Sequence, residues 1–157
     1  IDGEVITTNE IHSFKKRRTA FILHTDSILI FGRKQNFMFA VPDSSKELAT
    51  LLNGLAKKRL RKIEVRLAAG TSEAKDINRI TKLTIRCAFG VALIRGATYS
   101  PAYKTYPAAI SKYVPELTPV INSVLEESSN SKYPTSRMIN AAEQAISLAE
   151  DLGVHFA

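Results

Sequence analysis

Tryptophan is absent, cysteine occurs once and histidine three times, and each scarcity removes a class of protein. A lone Cys87 forms no internal disulfide. It sits in an apolar segment, so it is read as a buried, inert thiol suited to the cytoplasm or another reducing intracellular compartment. His12, His24 and His155 with that one thiol supply no spaced set of metal ligands. Seven glycines and six prolines are too few for a collagen-like or disordered chain. The longest nearly uninterrupted apolar run, residues 87–94, falls far short of the roughly 20 residues a membrane-spanning helix needs. Gly90 and Gly96 have neither the spacing nor the strand-to-helix setting of a phosphate loop or dinucleotide fingerprint. His24 and Asp26, with Ser27 beside them, read as a strand end next to a turn rather than as catalytic partners. The chain is therefore expected to be no enzyme and to need no cofactor.

What is present is a core and an uneven charge. Hydrophobic residues make up 45% of 157 positions, enough for one domain without disulfides or metal. The formal net charge of +7 divides unequally along the chain. Residues 1–46 hold seven bases and five acids, residues 47–112 thirteen and four, and residues 113–157 two and six. A middle with such an excess attracts polyanions, and an acidic end is able to meet it, in the same copy or in another.

The pattern of the first third is that of strands. Residues 19–24, 28–31 and 37–41 are short β-branched or aromatic runs separated by turn formers, with an earlier strand expected over 4–8. Phe37 and Phe39 alternate on one strand face and read as core aromatics. A helix begins at Ser44, where Ser44 and Glu47 have capping-box spacing; Leu48, Leu51, Leu52 and Leu55 share its apolar face, and Lys57, Lys58 and Arg59 close it. Ile63, Val65 and Leu67 then alternate with Lys62, Glu64 and Arg66, which predicts another strand. From Ser72 the apolar positions Ile77, Ile80, Thr84, Cys87, Val91 and Ile94 recur at helical intervals. The alternation of Leu83, Ile85 and Cys87 leaves a strand possible in the second half of that segment. The last third reads as helical, with prolines dividing its approach, an ordered loop over 99–106, a surface loop over 126–132 and Gly153 as a C-terminal cap. The expected architecture is a single α+β domain over 1–157. A sheet-rich part, residues 1–70, carries an antiparallel sheet of about four or five strands on the capped helix, and a helical part covers residues 71–157.

The functional expectation rests on cations. Lys75, Arg79, Lys82 and Arg86 are spaced four, three and four apart, so on a helix they share one face opposite Ile77, Ile80 and Thr84. Two dense clusters accompany them: Lys57, Lys58, Arg59, Arg61 and Lys62, and Lys15, Lys16, Arg17 and Arg18. Each alone reads as a solvated face, whereas together they point to phosphate contacts and a nucleic-acid partner, RNA or DNA. Tyr99, Tyr103, Tyr106 and Tyr113 form a secondary candidate for stacking or protein contact. The rival expectation is a self-assembling coat, matrix or adaptor module, a homo-oligomer whose basic middle docks on the acidic C-terminal helices of another copy. An anionic membrane surface ranks below both.

Overall fold

Ser44 caps the helix that follows it with one half of the expected capping box: its Oγ accepts the backbone N–H of Glu47 at 3.2 Å. The structure, a computed structural model, describes residues 44–156. Their helices, in order, are α1 (Ser45–Asn53), α2 (Ala56–Ala68), α3 (Ala74–Ile94), α4 (Tyr106–Tyr113), α5 (Thr118–Asn130) and α6 (Ser136–Asp151). Short 3-10 turns, Tyr103–Thr105 and Pro115–Leu117, lead into α4 and α5. Pro107 and Pro119 stand in the first turns of those two helices, where a missing N–H costs nothing.

The bundle is organised on α3. Its second half, from Cys87 to Leu93, is buried at every position, so that stretch is a central rod rather than an amphipathic surface helix. The five other helices of the described residues pack against it. Phe89 stacks on Tyr106 of α4 with ring centroids 3.8 Å apart, and Tyr103 leans on Tyr106 at 5.3 Å. The strand allowed by the alternation of Leu83, Ile85 and Cys87 is absent, because all three are buried in α3, where neighbours cover opposite sides of the same turn. Gly90 weakens no helix here; it lets α1 approach, since a Cβ at that position would lie 3.0 Å from Nδ2 of Asn53 and 3.4 Å from Cβ of Ala49.

The α+β expectation fails over the described residues, whose regular structure is all helical and contains no strand. The strand predicted around Ile63, Val65 and Leu67 is part of α2. Ala56, Leu60, Ile63 and Leu67 recur at four, three and four, and this helical stripe is the one turned inward; Val65 is 56% exposed. The boundary at residue 70 between sheet-rich and helical parts has no counterpart over 44–70. Lys57, Lys58 and Arg59 open α2 rather than closing the preceding helix, which ends at Asn53, and Leu55 is exposed between the two. The strands expected over 4–8, 19–24, 28–31 and 37–41, with Phe37, Phe39, His12, His24, Asp26 and Ser27, lie outside the described residues.

The C-terminal expectations fare better. Gly153, at φ 86°, turns the chain after α6, and the N–H of Val154 donates back to the carbonyl of Ala149. The surface loop expected over 126–132 is overturned for its first five residues, which continue α5 to Asn130; the chain leaves the helix only at Ser131. The segment 99–106 is a loop up to Ala102, and Tyr106 already belongs to α4. No helix among the described residues is long and apolar enough to cross a membrane.

Candidate functional site

Five residues join α2 to α3, and Gly70 takes φ 66° there so that the chain reverses within one turn. The two helices consequently run back alongside each other. Near the turn Arg66 and Arg79 both donate to Asp76; at the far end Asn53 donates from Nδ2 to the carbonyl of Arg86 at 3.1 Å. Between them lies a groove of about 390 Å³.

Its walls are basic. Arg59, Lys62 and Arg66 line it from α2, and Arg79, Lys82 and Arg86 line it from α3. Each triplet is spaced three and four residues, which on a helix keeps all three side chains within an arc of about 60°. Two rows of three cations therefore face one another. Apolar Leu52, Ala56, Ile63 and Leu83 complete the lining together with Asn53. Among the described residues no aromatic ring lines the groove.

Among the described residues only one carboxylate, that of Asp76, pairs with any of these six cations, and it takes two of them. Oδ1 of Asp76 accepts from Nη2 of Arg66 at 2.6 Å and from Nη1 of Arg79 at 2.9 Å, while Oδ2 accepts the N–H of Glu73 at 3.1 Å. Asp76 is fully buried. Burial by itself favours its neutral form, but the Glu73 amide and the guanidiniums of Arg79 and Arg66 outweigh that and hold its pKa below the ordinary value. Arg59, Lys62, Lys82 and Arg86 have no carboxylate within ion-pair distance among the described residues.

The sequence-predicted cations are thus sorted by the fold. Arg79, Lys82 and Arg86 of the stripe and Arg59 and Lys62 of the second cluster come together. Lys75 pairs with Glu73, at the edge of the turn. Lys57 and Arg61 turn away toward α6, where Lys57 Nζ lies 2.5 Å from Oε1 of Glu150, and Arg61 pairs with Glu64. Lys58 is exposed and does not line the groove. Lys15, Lys16, Arg17 and Arg18 lie outside the described residues. Arg66 went unpredicted because a strand reading set it on a polar sheet face; its spacing of four from Lys62 and seven from Arg59 was the available signal.

Two of the four candidate tyrosines are tied into the core. Tyr106 is buried on Phe89, and the hydroxyl of Tyr103 is buried as well, with its pKa pushed up to about 12 by that burial. Cys87 is equally withdrawn: burial pushes its thiol up to about 12 against the opposing pull of Arg59 and Arg86. No trio of His, Cys, Asp or Glu among the described residues is placed to hold a metal ion.

No protein-family model, no curated protein and no solved structure matches this chain.

Proposed function

We propose that this chain binds nucleic acid, without catalysis, by holding phosphates in the groove between α2 and α3. The carrying observation is convergence: cations that are up to 27 positions apart in sequence, Arg59 and Arg86 among them, line one groove with four of six lacking a carboxylate partner among the described residues. Like charges so gathered repel and destabilise the fold unless an anion enters. Arg59 sharpens the point: it stands in the first turn of α2, where the positive end of the helix dipole disfavours a cation by about 0.3–1 kcal/mol and no acidic residue offsets it. A locally unfavourable choice of this kind is expected where binding compensates for it.

The absence of an aromatic lining among the described residues directs the reading to phosphate rather than base. Contacts of that kind position a strand without reading its sequence. Four freed counterions correspond to a salt slope of about −3 to −4 in log affinity against log salt. Fluorescence anisotropy with mixed-sequence oligonucleotides across a salt series tests this. Lys82→Glu with Arg86→Glu is expected to weaken binding to every sequence and to flatten the slope by about 1.5–2. Unchanged affinity would overturn the proposal.

The assembly reading retains one observation in its favour. Glu126, Glu143 and Asp151 have no ion pair among the described residues and are available to another copy's cations. Against it, Glu116, Glu127 and Glu150 are already engaged by Arg95, Arg137 and Lys57 of the same chain. Light scattering at high concentration without nucleic acid separates the two: assembly requires a mass above that of one chain.

A further inference from the structure

The charge of the groove is not spread evenly along it. At the turn end Asp76 already serves Arg66 and Arg79, so two cations meet one anion. At the other end Arg59, Lys62, Lys82 and Arg86 have no such partner among the described residues. Arg59 and Lys62 are separated by about 4.5 Å of helix rise, Lys82 and Arg86 by about 6 Å, so four unit charges face one another within little more than one helical turn.

A nucleic-acid strand matches that density poorly. It presents one phosphate per roughly 3.4 Å of axis, which brings about two negative charges into the same length. A triphosphate fits better, since it places about four negative charges in a comparable length, its terminal group alone contributing nearly −2. The groove's 390 Å³ also lies within the range of about 300–1,000 Å³ typical of small-molecule sites. The frame is held in place: Asn53 is buried and bonded to the carbonyl of Arg86, and α1 is packed against α3 at Gly90, so the turn bearing Arg86 is fixed before any ligand arrives.

We infer that Arg59, Lys62, Lys82 and Arg86 form a seat for a compact triphosphate, either free as a nucleotide or carried at the 5′ end of a nucleic-acid strand. This rests on the phosphate-binding reading and narrows it. The Arg66–Asp76–Arg79 end then guides the chain of nucleotides that follows, with weaker charge and a fixed guanidinium pair.

Isothermal titration with inorganic tripolyphosphate, ATP and orthophosphate, and with two oligonucleotides differing only in a 5′-triphosphate or 5′-hydroxyl end, tests the seat. Tripolyphosphate is expected to bind one per chain and about tenfold or more tighter than orthophosphate. Arg59→Gln with Arg86→Gln removes that preference, whereas Lys57→Gln with Arg61→Gln, an equal loss of charge outside the groove, keeps it. A 5′-triphosphate preference of similar size identifies a strand end as the source; tripolyphosphate and ATP binding without that end preference identifies the free anion. Tripolyphosphate no tighter than orthophosphate, with both oligonucleotides bound equally, overturns the seat while leaving nucleic-acid binding standing. No binding of any of these probes overturns both.

Discussion

Nη2 of Arg66, near the end of α2, lies 2.6 Å from Oδ1 of Asp76, in the first turn of α3. A fully buried carboxylate thus ties together the two helices whose facing cations would otherwise push them apart, and it does so at the turn where they join. It is the counter-charge of two of the six groove cations, Arg66 and Arg79.

Asp76→Asn is expected to lower stability by about 2 kcal/mol, seen as a reduced urea midpoint. Breaking a buried pair costs about 3–5 kcal/mol, but Arg66 and Arg79 are 30% and 50% exposed, so water offsets part of the loss. The pH dependence follows from the lowered pKa. A carboxyl with a folded pKa below its ordinary 3.8 contributes stability that is fully present above that value and lost as pH falls through the folded pKa. Glu116 adds in the same sense below 4.5, because its own backbone amide and Arg95 favour its charged form. Unfolding followed from pH 7 down to about 2 is expected to show acid loss in the parent chain and a shallower loss in the Asp76→Asn variant. Equal acid sensitivity in the two would contradict the role given to this carboxylate.

Gly90→Val is expected to cost about 1–3 kcal/mol, as overpacking does. The new side chain would meet Asn53 and Ala49, and Asn53 has little freedom to withdraw because it holds the carbonyl of Arg86. Thermal unfolding reads the loss. A variant as stable as the parent would show that α1 does not lie this close to α3.

Cys87 is expected to resist alkylation in the folded chain at pH 8, since its pKa of about 12 leaves almost no thiolate and the sulfur is fully buried. One equivalent of a thiol reagent is expected to react in denaturant. Rapid labelling of the native chain would place the thiol elsewhere than in the core of α3.

How far the residues announced this fold depends on how many patterns each segment carried. Ser44 with Glu47 specified a helix start, and the apolar positions from Ile77 onward specified the first half of α3, while the competing alternation at Leu83, Ile85 and Cys87 left its second half open between helix and strand. Residues 62–67 carried two patterns at once. Alternation at Ile63, Val65 and Leu67 competed with the stripe Ala56, Leu60, Ile63 and Leu67, and the stripe prevails because packing against α3 rewards it over the whole of α2. The basic stripe on α3 was legible for the same reason as α3 itself. Its facing row was not, since the strand reading hid Arg66 and gave no cause to pair Arg59 and Lys62 with Lys82 and Arg86. Asp76 as their shared anchor depends on the reversal at Gly70, which only the fold reveals.

Deleting residues 132–157 is expected to abolish cooperative unfolding rather than merely to remove an acidic tail. Met138, Ala142, Ala145 and Ala149 of α6 are buried, and α6 packs on α3 along the bundle. Circular dichroism during heating reads this. A truncated chain that retains a sharp transition would show that α6 is dispensable to the core.

The central claim is that the groove, and not positive charge in general, holds the phosphates. The direct measurement compares oligonucleotide affinity for Arg59→Glu with Arg86→Glu, inside the groove, against Lys57→Glu with Arg61→Glu, on the opposite side of α2, at one salt concentration. Both pairs change the net charge equally. The first is expected to lose at least about tenfold more affinity than the second; equal losses would mean that the groove has no special part in binding.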